Sequence, residues 1–238
     1  MRADLASLLA RPLAHRGLHD RARGVIENSF AAAEAAVAAG YGIECDIQLS
    51  ADGEAMVFHD ETLDRLTGET GRVDARSAAA LAAIALKDGR DTIPTLAAFL
   101  QCIGGRVPLV IEIKSRFDGD MRLTARAVAL TKDYGGVFAL KSFDPDVVSC
   151  CRDLGALCPL GLVGPAGHDA PQAALGSPSR FEMYDFLSWN VAALAALRSA
   201  QGQIPAMSWT IRSRDDHTRA TRYNAQIVFE NFDPLSAP

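Results

Sequence analysis

Gly42-Ile43-Glu44-Cys45-Asp46-Ile47-Gln48-Leu49 is the stretch on which the fold turns. Its apolar-rich composition is that of a strand, in which residues i and i+2 share a face. Glu44 and Asp46 therefore point one way and Cys45 the other, toward surrounding helices. Two carboxylates side by side on a largely apolar strand repel each other and lose solvation unless a cation or a proton compensates them. A hard divalent ion held by oxygen ligands is the simplest compensation. The next apolar run, 55–58, ends in His59-Asp60 and places an imidazole where it can transfer protons beside such an ion.

Outward from this strand the punctuation is regular. Strand-like runs fall at 13–15, 43–49, 107–114, 137–143, 159–163, 185–189, 206–211 and 227–229, with helical composition between them at 29–39, 96–103, 121–133, 145–154, 191–200 and 213–223. Ser29, Asp144 and Ser213 stand where N-caps belong, Pro145 suits a first helical position, and Gly40, Gly135 and Gly155 sit where helices should end. Strand–helix alternation repeated about eight times predicts a (β/α)8 TIM barrel, for which a length near ~250 residues is typical. A doubly wound sheet competes less well, because no G-x-G-x-x-G follows the first strand. Residues 60–92 are too long for a simple loop and contain a short helix candidate at 76–84. They are expected to form a small helical insertion after the second strand, capping one end of a single domain spanning 1–238.

Composition narrows the partners. Hydrophobic residues make up 49% and charged residues 22%, the profile of a globular chain, and a formal net charge of −5 offers no basic excess to meet nucleic-acid phosphates. No apolar run is long enough for stable membrane insertion, and the acid in Met1-Arg2-Ala3-Asp4-Leu5 does not suit a signal peptide. The five cysteines lack metal-binding spacing, so reduced thiols and a cytoplasmic location are expected. Only four of the 24 basic residues are lysines, and two of these, Lys114 and Lys141, fall inside predicted strands.

In barrels of this kind, active sites form where strands end. The predicted first strand ends in His15-Arg16-Gly17, the third in Ile111-Glu112-Ile113-Lys114, the fourth in Lys141-Ser142-Phe143 and the seventh in Ser208-Trp209-Thr210. Glu44, Asp46 and Glu112 together can hold Mg²⁺ or Ca²⁺ against a phosphate oxygen. Arg16 and Lys114 can offset charge growing in a transition state, and His15 and His59 suit general acid–base work. These residue types fit metal-assisted phosphoryl transfer. Each has a structural alternative: His15 as a core histidine, Glu44 and Asp46 in a buried ion network, and Trp209 as core packing rather than a substrate contact. His168 and His217 have no supporting neighbours and are read as surface residues.

At these positions the chain resembles the glycerophosphodiester phosphodiesterase family. The matching segments are His15-Arg16-Gly17, Glu27-Asn28-Ser29, Glu44-Cys45-Asp46, Asp52-Gly53 leading to His59-Asp60, Ile93-Pro94-Thr95-Leu96, Glu112-Ile113-Lys114, Ser142-Phe143 and Trp209-Thr210, in the family's order. The resemblance implies a metal-dependent barrel enzyme that hydrolyses small-molecule glycerophosphodiesters to an alcohol and glycerol 3-phosphate. It implies His15 and His59 as the acid–base pair and Glu44, Asp46 and Glu112 as ligands of Mg²⁺ or Ca²⁺. Glu27 would be a further acid at the metal, although an acid just before Ser29 also suits a helix N-terminus. Arg16 and Lys114 would meet the phosphate, and 60–92 would shape the substrate entrance. The family's route has a hydroxyl of the substrate's own glycerol attack phosphorus, giving a cyclic phosphate that water opens.

The chain departs from the family pattern at Ile26, where proline is usual, and at Ser29, where threonine is usual. The last strand, Ile227-Val228-Phe229-Glu230, lacks the usual Thr-Asp and introduces an acid. Two alternatives stay open: a lysophospholipase D-like phosphodiesterase acting on larger lipids, and a barrel that binds phosphodiesters without turnover.

Overall fold

The computed structural model describes residues 5–164, 181, 183–201 and 204–235. Eight parallel strands close on themselves: β1 (Leu13–His15), β2 (Gly42–Leu49), β4 (Leu109–Ile113), β5 (Phe138–Ser142), β6 (Leu160–Val163), β7 (Phe186–Asn190), β8 (Ala206–Ile211) and β9 (Gln226–Phe229). Closure is made by β1, which pairs in parallel with both β2 and β9. The expected (β/α)8 barrel is therefore present. Several predicted strands are longer than the ladders, because apolar runs such as 107–114 continue past the last paired residue.

One strand lies outside this ring. β3 (Ala55–Val57) runs antiparallel to β2, so the insertion begins after a hairpin strand rather than directly after the second barrel strand. Within 60–92 the regular structure is a 3-10 turn, Val73–Ala75, and a helix, α3 (Ala78–Ala82), shorter than the sequence suggests. This segment packs on a small core of its own, in which Leu63, Leu66, Val73, Leu81 and Leu86 meet Met56, Phe58 and Ile93.

Local signals explain the helix boundaries. Following α1 (Leu5–Leu8), α2 (Phe30–Ala39) starts at Ser29, whose hydroxyl accepts the Ala32 N–H, and stops at left-handed Gly40. Thr95 caps α4 (Leu96–Ile103) in the same way. Downstream of α5 (Arg122–Thr131), Asp144 caps α6 (Pro145–Asp153), with Pro145 in its first turn. The next described helix, α7 (Leu194–Gln201), is entered through a 3-10 turn over Val191–Ala193, and Ser213 caps α8 (Arg214–Arg222). None of the described helices is long and apolar enough to cross a membrane. His217 lies on α8 with its ring against Phe232, while His168 is outside the described residues.

Strand alternation divides the apolar residues into two shells. Ile43, Cys45, Ile47, Leu109, Ile111 and Ile113 pack outward against the helices, so Cys45 faces away from its acidic neighbours as expected. Burial pushes its thiol well above the ordinary range, with the nearby carboxylates adding to the effect. Inside the barrel, Leu13, Val110, Ala139, Phe186, Met207 and Val228 form an apolar plug. Gly161 makes room for it, since a Cβ there would run into the Phe186 ring. The polar residues one step further along these strands stand above that dry floor.

Candidate active site and metal centre

Register assembles the acids. His15 lies beside Glu44 across β1 and β2, Asp46 beside Glu112 across β2 and β4, and Glu112 beside Lys141 across β4 and β5. The side chains of Glu44, Asp46 and Glu112 each offer an oxygen within 4.8 Å of the others, and all three residues are buried. Carboxylates this close need counter-charge. Lys141 Nζ supplies it at 2.9 Å from Glu44 Oε1 and 3.2 Å from Glu112 Oε2. Lys114 Nζ lies 2.7 Å from Asp46 Oδ1 and also contacts Glu112. Asn28 adds a neutral donor, its amide reaching Asp46 Oδ2 at 3.0 Å.

The electrostatic balance follows from this arrangement. Burial alone would raise the Asp46 carboxyl, but Lys114, His59, Arg16 and His15 hold it well below the usual range. Burial acts on Glu112 in the same sense, and Lys141 and Lys114 outweigh it. Burial would lower the ammonium of Lys114, yet Asp46 and Glu112 keep it raised. The centre thus sets two ammonium groups among three carboxylates. Although Glu44 Oε1 is within ion-pair range of Lys141, it has no hydrogen bond of good geometry among the described residues. Such an oxygen-only donor set fits a hard divalent cation.

Beside this centre the chain turns sharply at His15-Arg16-Gly17. Arg16 and Gly17 both have left-handed backbone, φ 57° and φ 80°. The Gly17 N–H donates to the Ala14 and Glu44 carbonyls, and the Arg16 N–H donates to Glu44 Oε2 at 3.2 Å. A Cβ on Gly17 would stand 2.8 Å from Ala32 Cβ, so only glycine lets the turn rest on α2. Left-handed backbone at Arg16 costs about 1–2 kcal/mol. It directs the guanidinium along the cleft wall, with Nε 3.5 Å from Asp46 Oδ2.

The structure does not bring Glu27 into the triad. Its Oε1 accepts from Arg16 Nη1 at 2.6 Å and Arg65 Nη2 at 2.8 Å, and its Oε2 accepts from Arg65 Nη1 at 2.9 Å. Burial opposes ionisation, but the two guanidiniums hold this carboxyl at about 2. Sequence reading expected a further acid at the metal; in the structure Glu27 is not one of the three converging carboxylates and its oxygens accept from two arginines. Arg65 belongs to the insertion, and no local pattern marks it as a partner of Glu27.

Both histidines reach one cleft of about 300 Å³, lined also by Asp46, Glu112, Lys114, Lys141, Phe143, Asn190 and Trp209. His15 Nδ1 meets Glu230 Oε2 at 2.5 Å, while its Nε2 lies 3.9 Å from Glu44 Oε2. His59 Nδ1 meets Asp60 Oδ1 at 2.7 Å, and Arg65 donates to both oxygens of Asp60. Trp209 packs edge-on against Phe143, with ring centroids 5.8 Å apart, and its buried Nε1 has no hydrogen-bond partner among the described residues. A second cavity of about 400 Å³ adjoins the first, shares His59 and Lys114 with it, and is walled by Gln48, Arg72, Asp74 and Arg116.

Of the residues singled out from sequence, His15, Arg16, Asp46, His59, Glu112, Lys114 and Trp209 line one cleft, and Glu44 sits beside His15 on the neighbouring strand. Lys141 and Asn28 received no role from the sequence. A signal existed for Lys141, since a lysine in an apolar strand needs buried acids nearby.

Comparison with known proteins agrees with this geometry. The model of the Glycerophosphoryl diester phosphodiesterase family matches residues 15–232. A glycerophosphodiester phosphodiesterase of Caldanaerobacter subterraneus subsp. tengcongensis is 40% identical over 111 residues, covering 43% of this chain and 44% of that protein. The chain thus spans less than half the length of the relative it matches. Among solved structures, a glycerophosphodiester phosphodiesterase from Thermotoga maritima superposes with a TM-score of 0.72 at 25% identity, covering 92% of both chains. An Oleispira antarctica phosphodiesterase in complex with the product sn-glycerol-3-phosphate has a TM-score of 0.76 at 22% identity, covering 92% of this chain and 91% of that one.

Proposed function

The chain belongs to the glycerophosphoryl diester phosphodiesterase family, and from that premise we propose that it hydrolyses glycerophosphodiesters to an alcohol and glycerol 3-phosphate in a metal-dependent reaction. One observation carries the reading: three buried carboxylates converge within 4.8 Å, and two histidines share the cleft that opens on them. Glu44, Asp46 and Glu112 would hold Mg²⁺ or Ca²⁺, which supplies charge neutralisation at a non-bridging phosphate oxygen. Arg16 and Lys114, on the cleft wall, offset the remaining charge of the phosphate, and Lys141 keeps the acid cluster from repelling itself apart. Glu27 serves the site by holding Arg16 in place.

The two imidazoles divide the proton work. One accepts the proton of the attacking glycerol hydroxyl, and the other gives a proton to the departing alcohol oxygen. The cyclic phosphate formed in this way is opened by water with the roles reversed, which leaves both histidines in their starting states. Trp209 and Phe143 form an apolar wall against which the glycerol carbons rest. The product bound to the Oleispira antarctica protein is the one this reaction would release.

Residues 60–92 act in this reading as a cap on a single barrel domain. They carry the charged side chains Arg65, Arg72, Arg76, Glu61 and Glu69, of which Glu61 and Arg72 line the cavity beside the cleft, whereas the large exposed apolar side chains of the described residues (Phe117, Leu154, Leu157, Met183 and Leu235) lie outside the segment. A charged rim favours small polar diesters over larger lipids.

Product analysis over a panel of glycerophosphodiesters and lysophospholipids tests the proposal. The expected result is glycerol 3-phosphate release that a chelator abolishes and Mg²⁺ or Ca²⁺ restores. His15→Ala and His59→Ala should each lower turnover by roughly 10²–10⁴-fold while metal affinity is retained. Metal-loaded parent protein that binds diesters yet cleaves none would establish the binding barrel instead.

A further inference from the structure

The last strand ends in an acid, Glu230, and barrel closure gives that acid a partner. Val228 lies in the interior plug and Phe229 in the outer shell, so alternation turns Glu230 inward. Leu13 pairs with Val228 and Ala14 with Phe229, which brings Glu230 alongside His15 at the barrel mouth. The Glu230 side chain is 12% exposed, and both of its oxygens are occupied. Oε2 meets His15 Nδ1 at 2.5 Å, and Oε1 accepts from Arg212 Nε at 2.8 Å, with Arg212 Nη2 at 2.7 Å. His19 Nε2 stands 3.9 Å from Oε2.

The chemistry of this contact fixes the ring. An ionised carboxylate only accepts, so the proton between Glu230 and His15 belongs to Nδ1, and a neutral ring held this way would carry its free lone pair on Nε2. Burial disfavours the charged form of Glu230, but His15, His19 and Arg212 hold it ionised. The ring's other nitrogen faces Glu44 and the cleft.

We propose that Glu230 is a positioning residue for His15: clamped by Arg212, it accepts the Nδ1 proton and so fixes the ring angle and tautomer that present Nε2 to substrate. The same construction stands behind the other histidine, where Arg65 clamps Asp60 and Asp60 meets His59 Nδ1. The two imidazoles are therefore supported alike, each by a carboxylate and a guanidinium. The catalytic part of this inference rests on the reading of His15 as an acid–base group. Its structural part stands without it.

The test reads both parts separately. In metal-free protein labelled with ¹⁵N-histidine, the His15 signals should show a single tautomer with the proton on Nδ1. Glu230→Ala should give a mixture of tautomers. In the metal-loaded enzyme the same variant should lower kcat about 10–100-fold, leave KM within about twofold and leave metal affinity unchanged. Glu230→Gln keeps an acceptor and should retain most of the tautomer preference, and it serves if Glu230→Ala does not fold. Arg212→Gln loosens the clamp and should give a smaller loss of kcat. If His15 keeps its Nδ1-protonated form without Glu230, or if kcat is unchanged, the proposal is overturned. A parent that cleaves no diester would sink the functional reading and leave the tautomer result to judge the structural one.

Discussion

Lys141→Met is the most discriminating perturbation of the acid cluster. Lys141 Nζ is 2.9 Å from one carboxylate oxygen and 3.2 Å from another, and its side chain is 3% exposed. At an effective dielectric of about 20, each such contact is worth about 5 kcal/mol, or about 10 kcal/mol gross. Several kcal/mol of this is spent on desolvating the ammonium, so deletion of the cation should cost about 3–5 kcal/mol in metal-free protein. For a chain of this size that corresponds to a fall in Tm of about 10 °C. Methionine fills the volume, so the loss measures charge rather than a cavity. A divalent cation then becomes the principal counter-charge of Glu44 and Glu112. It should raise the Tm of the variant by more than that of the parent, since stabilisation grows as the ligand binds more tightly, by about 2.7 kcal/mol at a hundredfold excess over Kd. Differential scanning fluorimetry with chelator, with Mg²⁺ and with Ca²⁺ measures both effects. Unchanged stability of the metal-free variant, or a cation-induced gain no larger than the parent's, would refute the electrostatic account of this centre.

Glu44→Gln should weaken divalent-cation affinity at least tenfold by calorimetric titration, whereas Glu27→Gln should change it less than threefold, because only Glu44 belongs to the triad. Equal losses would return Glu27 to the metal. Glu27 also makes a pH prediction: its carboxyl is held at about 2 against an ordinary 4.5, so the stability it contributes is complete above pH 4.5 and is lost as the pH falls toward 2. Urea unfolding of the parent and of Glu27→Gln should therefore diverge at neutral pH by up to about 3 kcal/mol and converge near pH 2, and parallel curves would contradict the arginine clamp. Gly161→Ala should cost about 1–3 kcal/mol through collision with Phe186, read from the same unfolding curves; an unchanged midpoint would show that the interior plug has slack.

What the sequence by itself determined is whatever depends on neighbours along the chain. Period-two alternation turned Glu44 and Asp46 to one face and Cys45 to the other, and it did the same for Glu112 and Lys114. Ser29, Asp144 and Ser213 marked helix starts because a cap acts on the next three residues, and repeated strand–helix punctuation was enough for the barrel. The strand ends then located His15, the acid triad and Trp209 at one mouth.

Only the tertiary structure decided which groups meet across strands. Lys141 joins Glu44 and Glu112 through the β2–β4–β5 register, and Glu27 is drawn to Arg65, 38 residues away, rather than into the acid triad. Glu230 reaches His15 across 215 residues because closure of the ring lays β9 beside β1. Charges at the barrel mouth are settled by distance in space, and strand register and ring closure set those distances.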